Sequence, residues 1–113
     1  MKLSQFVETF IKKSDIYVPS TILFLIKNNG KGTKNQIAKL IYIFEYKKSV
    51  EEYEKIVENM SAYILKKYDI IEEKNGEYHL KEFPLEKREY EKILKKCMYS
   101  LNGFFVPVAK IDF

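Results

Sequence analysis

Apolar residues recur every three or four positions over most of the chain, and short polar blocks rich in Gly, Asn, Ser and Lys separate these runs. Leu3, Phe6, Val7, Phe10 and Ile11 share one side of a helix over residues 3–12. Ser14-Asp15 breaks it, and Ile16-Tyr17-Val18 is expected to be extended because Pro19 disfavours the α region in the residue before it. A second helix is predicted from Pro19 or Ser20, and its near-continuous Ile22-Leu23-Phe24-Leu25-Ile26 run marks it as buried. Asn28-Asn29-Gly30-Lys31-Gly32 stops it, with Gly30 suited to a left-handed cap and Gly32 keeping the turn flexible.

Thr33-Lys34-Asn35-Gln36 is a capping box, in which the threonine hydroxyl and the glutamine side chain satisfy each other's backbone N–H groups. The helix it opens carries Ile37, Leu40, Ile41 and Phe44 on one face, widened by Tyr42, Ile43 and Tyr46. Ser49-Val50-Glu51-Glu52 is a second capping box. Tyr53, Ile56, Val57, Met60, Ile64 and the stem of Lys67 follow at helical spacing, so Met60 and Ile64 are expected to pack against Leu25, Ile37 and Leu40. Asn75-Gly76 then lies between two short β-prone runs, Ile70–Glu73 and Tyr78–Lys81. That dipeptide favours a type I′ hairpin turn, which needs positive φ at both central residues.

After the hairpin, Pro84 is acceptable in the first turn of a last helix whose stripe is Leu85, Tyr90, Ile93, Leu94, Cys97 and Leu101. Asn102-Gly103 closes it, and Phe104–Phe113 is apolar and β-prone. That tail either pairs with an earlier strand or begins a following domain of a longer protein. The expected fold class is α+β, mostly α, with one domain over residues 1–103, a core at 19–81 and the tail at 104–113.

Composition narrows the function less than it narrows the fold. A chain of 113 residues with 46% hydrophobic and 15% aromatic residues can bury a real core and is no disordered tail. The net charge of +4 is unevenly spread: residues 27–48 hold six lysines against one glutamate, whereas residues 49–82 hold nine acidic residues against five lysines. Arg88 is the one arginine, so cations here act mainly as point charges for phosphates and less as readers of guanine edges. A single cysteine, Cys97, excludes an internal disulfide and suits a reducing, cytoplasmic setting. No apolar run reaches the length of a membrane span. One histidine and one cysteine are too few for a zinc site, no glycine-rich phosphate loop is present, and no cofactor is expected.

Residues 19–81 resemble the winged helix-turn-helix superfamily. The likeness rests on an apolar first helix, a Thr-capped second, a third helix and the passage Ile64-Leu65-Lys66-Lys67-Tyr68-Asp69-Ile70-Ile71-Glu72-Glu73-Lys74-Asn75-Gly76. That passage is similar to the one joining the third helix to the wing in many bacterial and archaeal regulators. It is also similar to DNA-recognition modules of restriction endonucleases, where winged helices sit beside a separate nuclease domain. The resemblance implies a double-stranded DNA-binding module with no chemistry of its own, flanked here by an extra N-terminal helix and a long C-terminal one.

On that implied fold, winding the third helix at 100° per residue leaves Glu51, Lys55, Glu58, Asn59, Ala62 and Lys66 opposite the core. In a DNA reader this face enters the major groove, where Asn59 can bond adenine and Lys55 and Lys66 can reach guanine edges or phosphates. The same residues suit an ordinary solvated face with pairs such as Glu51–Lys55. Lys31, Lys34 and Lys39, with Asn35 at a helix N-terminus and Lys47 and Lys48 beyond, are the phosphate candidates. Lys74 and Asn75 would sit at the wing tip, although Asn75 also serves the turn itself.

Glu72-Glu73-Lys74 matches half of a metal-dependent nuclease site, a tripeptide expected by chance at 32% charged residues. His79 reads as a strand surface residue and Cys97 as a small buried hydrophobe. Phosphates would repel Glu51, Glu54 and Glu58, which keeps a second function open. A winged helix can also be a protein-interaction or dimerisation module, here a homodimer through residues 85–101 with the apolar tail as further contact surface.

Overall fold

A computed structural model describes residues 1–12 and 15–101. The helices are α1 (Leu3–Phe10), α2 (Tyr17–Lys27), α3 (Lys34–Glu45), α4 (Val50–Ile56), α5 (Ala62–Lys67) and α6 (Lys87–Leu101). The strands are β1 (Lys31–Thr33), β2 (Ile71–Lys74) and β3 (Glu77–Leu80). The fold is α+β and mostly helical, with one antiparallel sheet in the order β1-β3-β2. The tail at 104–113 lies outside the described residues.

Helix α2 is the hub, because every residue from Pro19 to Ile26 is buried. It starts at Tyr17, two residues before Pro19, so the extended conformation expected of Tyr17 and Val18 is not adopted. Pro19 is the third helical residue, where its missing N–H would have had no intrahelical partner. The preference of a pre-proline residue for extended backbone is overridden by burial of the turn it begins. Asn29, at φ 61°, takes the left-handed cap position expected of Gly30; Gly30 follows at φ 83°, and its N–H donates to the Leu25 carbonyl at 2.7 Å, closing the cap. Gly32 has a different role from the one expected. It belongs to β1, and a Cβ there would lie 2.5 Å from Phe24 Cε1, so the glycine lets the strand lie directly on α2.

Strand β1 is the element absent from the sequence reading. Lys31 pairs with His79, Gly32 with Tyr78 and Thr33 with Glu77, while β2 pairs with the other edge of β3 from Ile71–Leu80 to Lys74–Glu77. The hairpin turn is as expected, with φ 51° at Asn75 and 79° at Gly76.

The third helical segment corrects the predicted phase. Helices α4 and α5 run on through a π turn at Val57–Ser61, whose flanking residues keep right-handed helical dihedrals. The extra residue rotates everything after it. The buried positions are Tyr53, Val57, Ser61, Ala62 and Leu65. Met60 is 48% exposed and Ile64 only half-buried, so the expected packing of this pair against Leu25, Ile37 and Leu40 gives way to Ala62 and Leu65. Ala62, predicted opposite the core, is fully buried. Phe10, Ile43 and Tyr46 are likewise exposed where a core-facing role was expected. Tyr46 caps α3 in a left-handed conformation, which turns its ring outward.

Helix α6 begins at Lys87, so Pro84 and Leu85 precede it. Its Ile93, Cys97 and Leu101 are fully buried in the core that α1 and α2 also build. Burial pushes the Cys97 thiol up to about 12. No helix among the described residues is long and apolar enough to cross a membrane.

Candidate nucleic-acid interface

Three local devices fix the surface that carries the predicted residues. Thr33 ends β1 and caps α3: its hydroxyl accepts from Gln36 N–H at 3.2 Å, and Gln36 Oε1 accepts from Thr33 N–H at 2.9 Å. The start of α3 is thereby tied to the sheet. Ser49 and Glu52 make the same reciprocal pair at 3.1 and 3.2 Å, and this bonding holds the Glu52 carboxyl below its usual range. The Tyr53 hydroxyl, at the end of a fully buried side chain, accepts from Lys47 N–H at 3.1 Å and clamps the link between α3 and α4.

Four of the predicted residues meet polar partners, three of them across elements and Lys74 within its own strand. Lys34 Nζ lies 3.1 Å from Glu58 Oε2, and Asn35 Nδ2 donates to Glu54 Oε2 at 2.8 Å. Lys66 pairs with Glu73, and Lys74 Nζ lies 3.0 Å from Glu72 Oε1. Lys66 also sits over the Tyr78 ring at 5.4 Å. The hydrogen bond to Glu58 raises the Lys34 ammonium, with the charges of Glu58, Glu54 and Glu73 adding to it. Tyr78 is pushed up to about 12, first by burial and then by Glu73 and Glu58. The start of α3, the π turn and the base of the hairpin therefore share one surface on which lysines and glutamates neutralise each other.

The other five predicted residues are exposed: Lys31 on β1, Lys39 on α3, Lys55 on α4, Asn59 in the π turn and Asn75 at the hairpin tip. Among the described residues, Lys31, Lys39 and Lys55 form no ion pair, nor do Lys47 and Lys48 in the link. These are the cations open to phosphate. Glu54 and Glu58 were expected here only as charges that repel phosphate, and Glu73 only as part of the nuclease-like tripeptide; what sequence spacing missed is their pairing with Asn35, Lys34 and Lys66. Their contacts run between elements, so no i,i+4 pattern could have found them.

The Glu72-Glu73-Lys74 tripeptide is taken up in ion pairs. Glu72 is engaged with Lys74 on its own strand, and Asp69, which has φ 62°, is held by Lys81, whose hydrogen bond lowers the aspartate carboxyl. His79 is half-buried with Nε2 3.6 Å from Glu77 Oε1. Among the described residues no cluster of three or more His, Cys, Asp or Glu could hold a metal ion. Comparison with known proteins found no matching family model, no matching characterised sequence and no matching solved structure.

Proposed function

We propose that the chain is a winged helix-turn-helix module that binds double-stranded DNA, mainly through phosphates. The observation that carries this reading is the element order. Helix α2, strand β1, helix α3, the α4–α5 helix and the β2–β3 hairpin follow one another, with β1 paired to β3 on the sheet edge away from β2. In that arrangement the third helix faces the major groove and the hairpin tip at Asn75 flanks it. Such a module serves as the recognition part of a restriction endonuclease or as a small transcriptional regulator. Lys31, Lys39 and Lys55 supply the contacts, and the scarcity of arginine makes base reading by bidentate forks secondary.

Fluorescence anisotropy on a labelled duplex at about 50 mM salt, where non-specific contacts persist, tests the proposal. Saturable binding that weakens steeply with salt is expected. Changing Lys31, Lys39 and Lys55 to Glu together should abolish it and leave the melting temperature unchanged. Changing Glu54 and Glu58 to Gln should tighten it, because repulsive charges leave and Lys34 is released from Glu58. A chain that binds no duplex at this salt refutes the reading.

The neutralised surface around Lys34 favours a second reading, a protein-interaction module without DNA contact. A homodimer through 85–101 has less to offer than the sequence suggested, because Ile93, Cys97 and Leu101 are already spent on the chain's own core. Such a dimer would rest on the half-buried Leu94 and Met98. Sedimentation of the full chain and of a truncation after Gly103 tests it: a monomer in both cases removes the dimer, and a mass shift on truncation supports it.

A further inference from the structure

A cleft of about 460 Å³ opens between α1, the start of α2 and the far half of the third helix. Its size lies within the range of small-molecule sites, which is roughly 300–1,000 Å³. Phe6 and Phe10 form one wall with Tyr68, their ring centroids 5.0, 4.7 and 5.8 Å apart around the triangle. Met60, Tyr63 and Ile64 form the facing side, and Ile16 and Val18 close the third. The π turn is what gives the cleft its facing side, because it rotates Met60 out of the core. A plain α-helix of the same sequence would point Met60 inward and fill the space with the next turn.

Among the described residues the polar groups at the cleft are the Asp15 carboxylate, the hydroxyls of Tyr17, Tyr63 and Tyr68, and the Lys67 ammonium. The Asp15 carboxylate accepts from Lys12 N–H at 2.8 Å, and the Tyr17 hydroxyl donates to Glu45 at 3.1 Å. Lys67 stands at the rim with Nζ 5.9 Å from the Tyr68 ring centre, and it forms no ion pair among the described residues. Among the described lining residues Lys67 is the cation, and an apolar, aromatic-walled cleft with that ammonium and two tyrosine hydroxyls at hand is complementary to a flat apolar body bearing a negative end.

We propose that this cleft binds a small aromatic carboxylate, with the ring system against Phe10, Met60 and Tyr68 and the carboxylate at Lys67. The site is independent of the DNA reading, since none of these residues belongs to the proposed DNA-contacting set.

The test titrates the full chain with 2-naphthoate, with its neutral amide and with 2-naphthylmethylammonium, followed by methyl and aromatic NMR shifts. Saturable shifts at Met60, Ile64 and Phe10 are expected with the carboxylate, weaker ones with the amide and the weakest with the cation. Lys67→Gln should weaken the carboxylate about two- to fivefold, as loss of one exposed ion pair does, and erase its advantage over the amide. Met60→Trp, at an exposed position that tolerates bulk, should block all three probes. Equal binding of anion and cation would refute the assigned charge selectivity. Shifts confined to other residues, or no saturable shift at millimolar probe, would refute the site. Failure of the DNA titration would leave these results untouched.

Discussion

Replacing Leu65 by alanine removes a side chain that is fully buried at the joint of α5 with the core. Large-to-small changes of this kind combine lost transfer energy with a residual cavity and cost about 2–5 kcal/mol. The same change at Met60, which is 48% exposed, should stay within about 0.5 kcal/mol, as surface substitutions do. Ile64, half-buried beside the core, should fall between them. With about 4 °C of melting temperature per kcal/mol for a domain of this size, Leu65→Ala should melt roughly 8–20 °C below the parent and Met60→Ala within about 2 °C of it. Thermal and urea unfolding followed by far-ultraviolet circular dichroism measure all three. The comparison is a direct test of the π turn, because an unbroken α-helix from Ser49 predicts the reverse ranking. If Met60→Ala proved as costly as Leu65→Ala, the extra residue at Val57–Ser61 and the phase built on it would be wrong.

Gly32→Ala should destabilise by about 1–3 kcal/mol through overpacking, since the new methyl would sit 2.5 Å from a ring carbon of the nearly buried Phe24. Urea midpoints check this, and a neutral or stabilising result would mean that β1 does not press on α2. Stability should also fall on the alkaline side. Cys97, Tyr17 and Tyr78 each titrate near 12 in the folded chain against ordinary values of 9.0 for the thiol and 10.0 for the phenols. The fold therefore favours their protonated forms: that contribution is intact below about pH 9 and is lost as pH rises from 9 toward 12. Unfolding free energy measured from pH 8 to 11 should decline, and Cys97→Ala should flatten the first part of the decline.

Where a local rule determines local structure, the sequence was readable. Thr33 and Ser49 cap their helices as their three-residue spacing to Gln36 and Glu52 requires, and Asn75-Gly76 turns with both φ values positive. Strand β1 was hidden because Lys and Gly are depleted in strands and three residues with one threonine are too few to show alternation. Its conformation comes from pairing with β3 and from Leu80 N–H donating to the Gly30 carbonyl at 2.8 Å. The π turn was hidden for a related reason. Up to Val57 the apolar spacing fits an ordinary helix, and the sign of a shift is the small pair Ser61-Ala62 where one more large residue is due. The candidate site was legible as a set of lysines and asparagines. It was not legible as an electrostatic surface, since the glutamates that neutralise Lys34 and Lys66 come from other elements.

Ser100 bears on the order of assembly. Its hydroxyl donates toward the carbonyls of Lys12 at 2.6 Å and Asp15 at 2.8 Å, residues 88 and 85 positions earlier in the chain. Within residues 31–80 the widest pairing of the sheet, Lys31 with His79, spans 48 positions, whereas α6 reaches back to α1 and α2 across almost the whole chain. Closing so long a loop costs configurational entropy before any contact rewards it. During synthesis the side of α2 that α6 covers is therefore expected to stay open until residue 101 has emerged, and the chain reaches its sealed state only then.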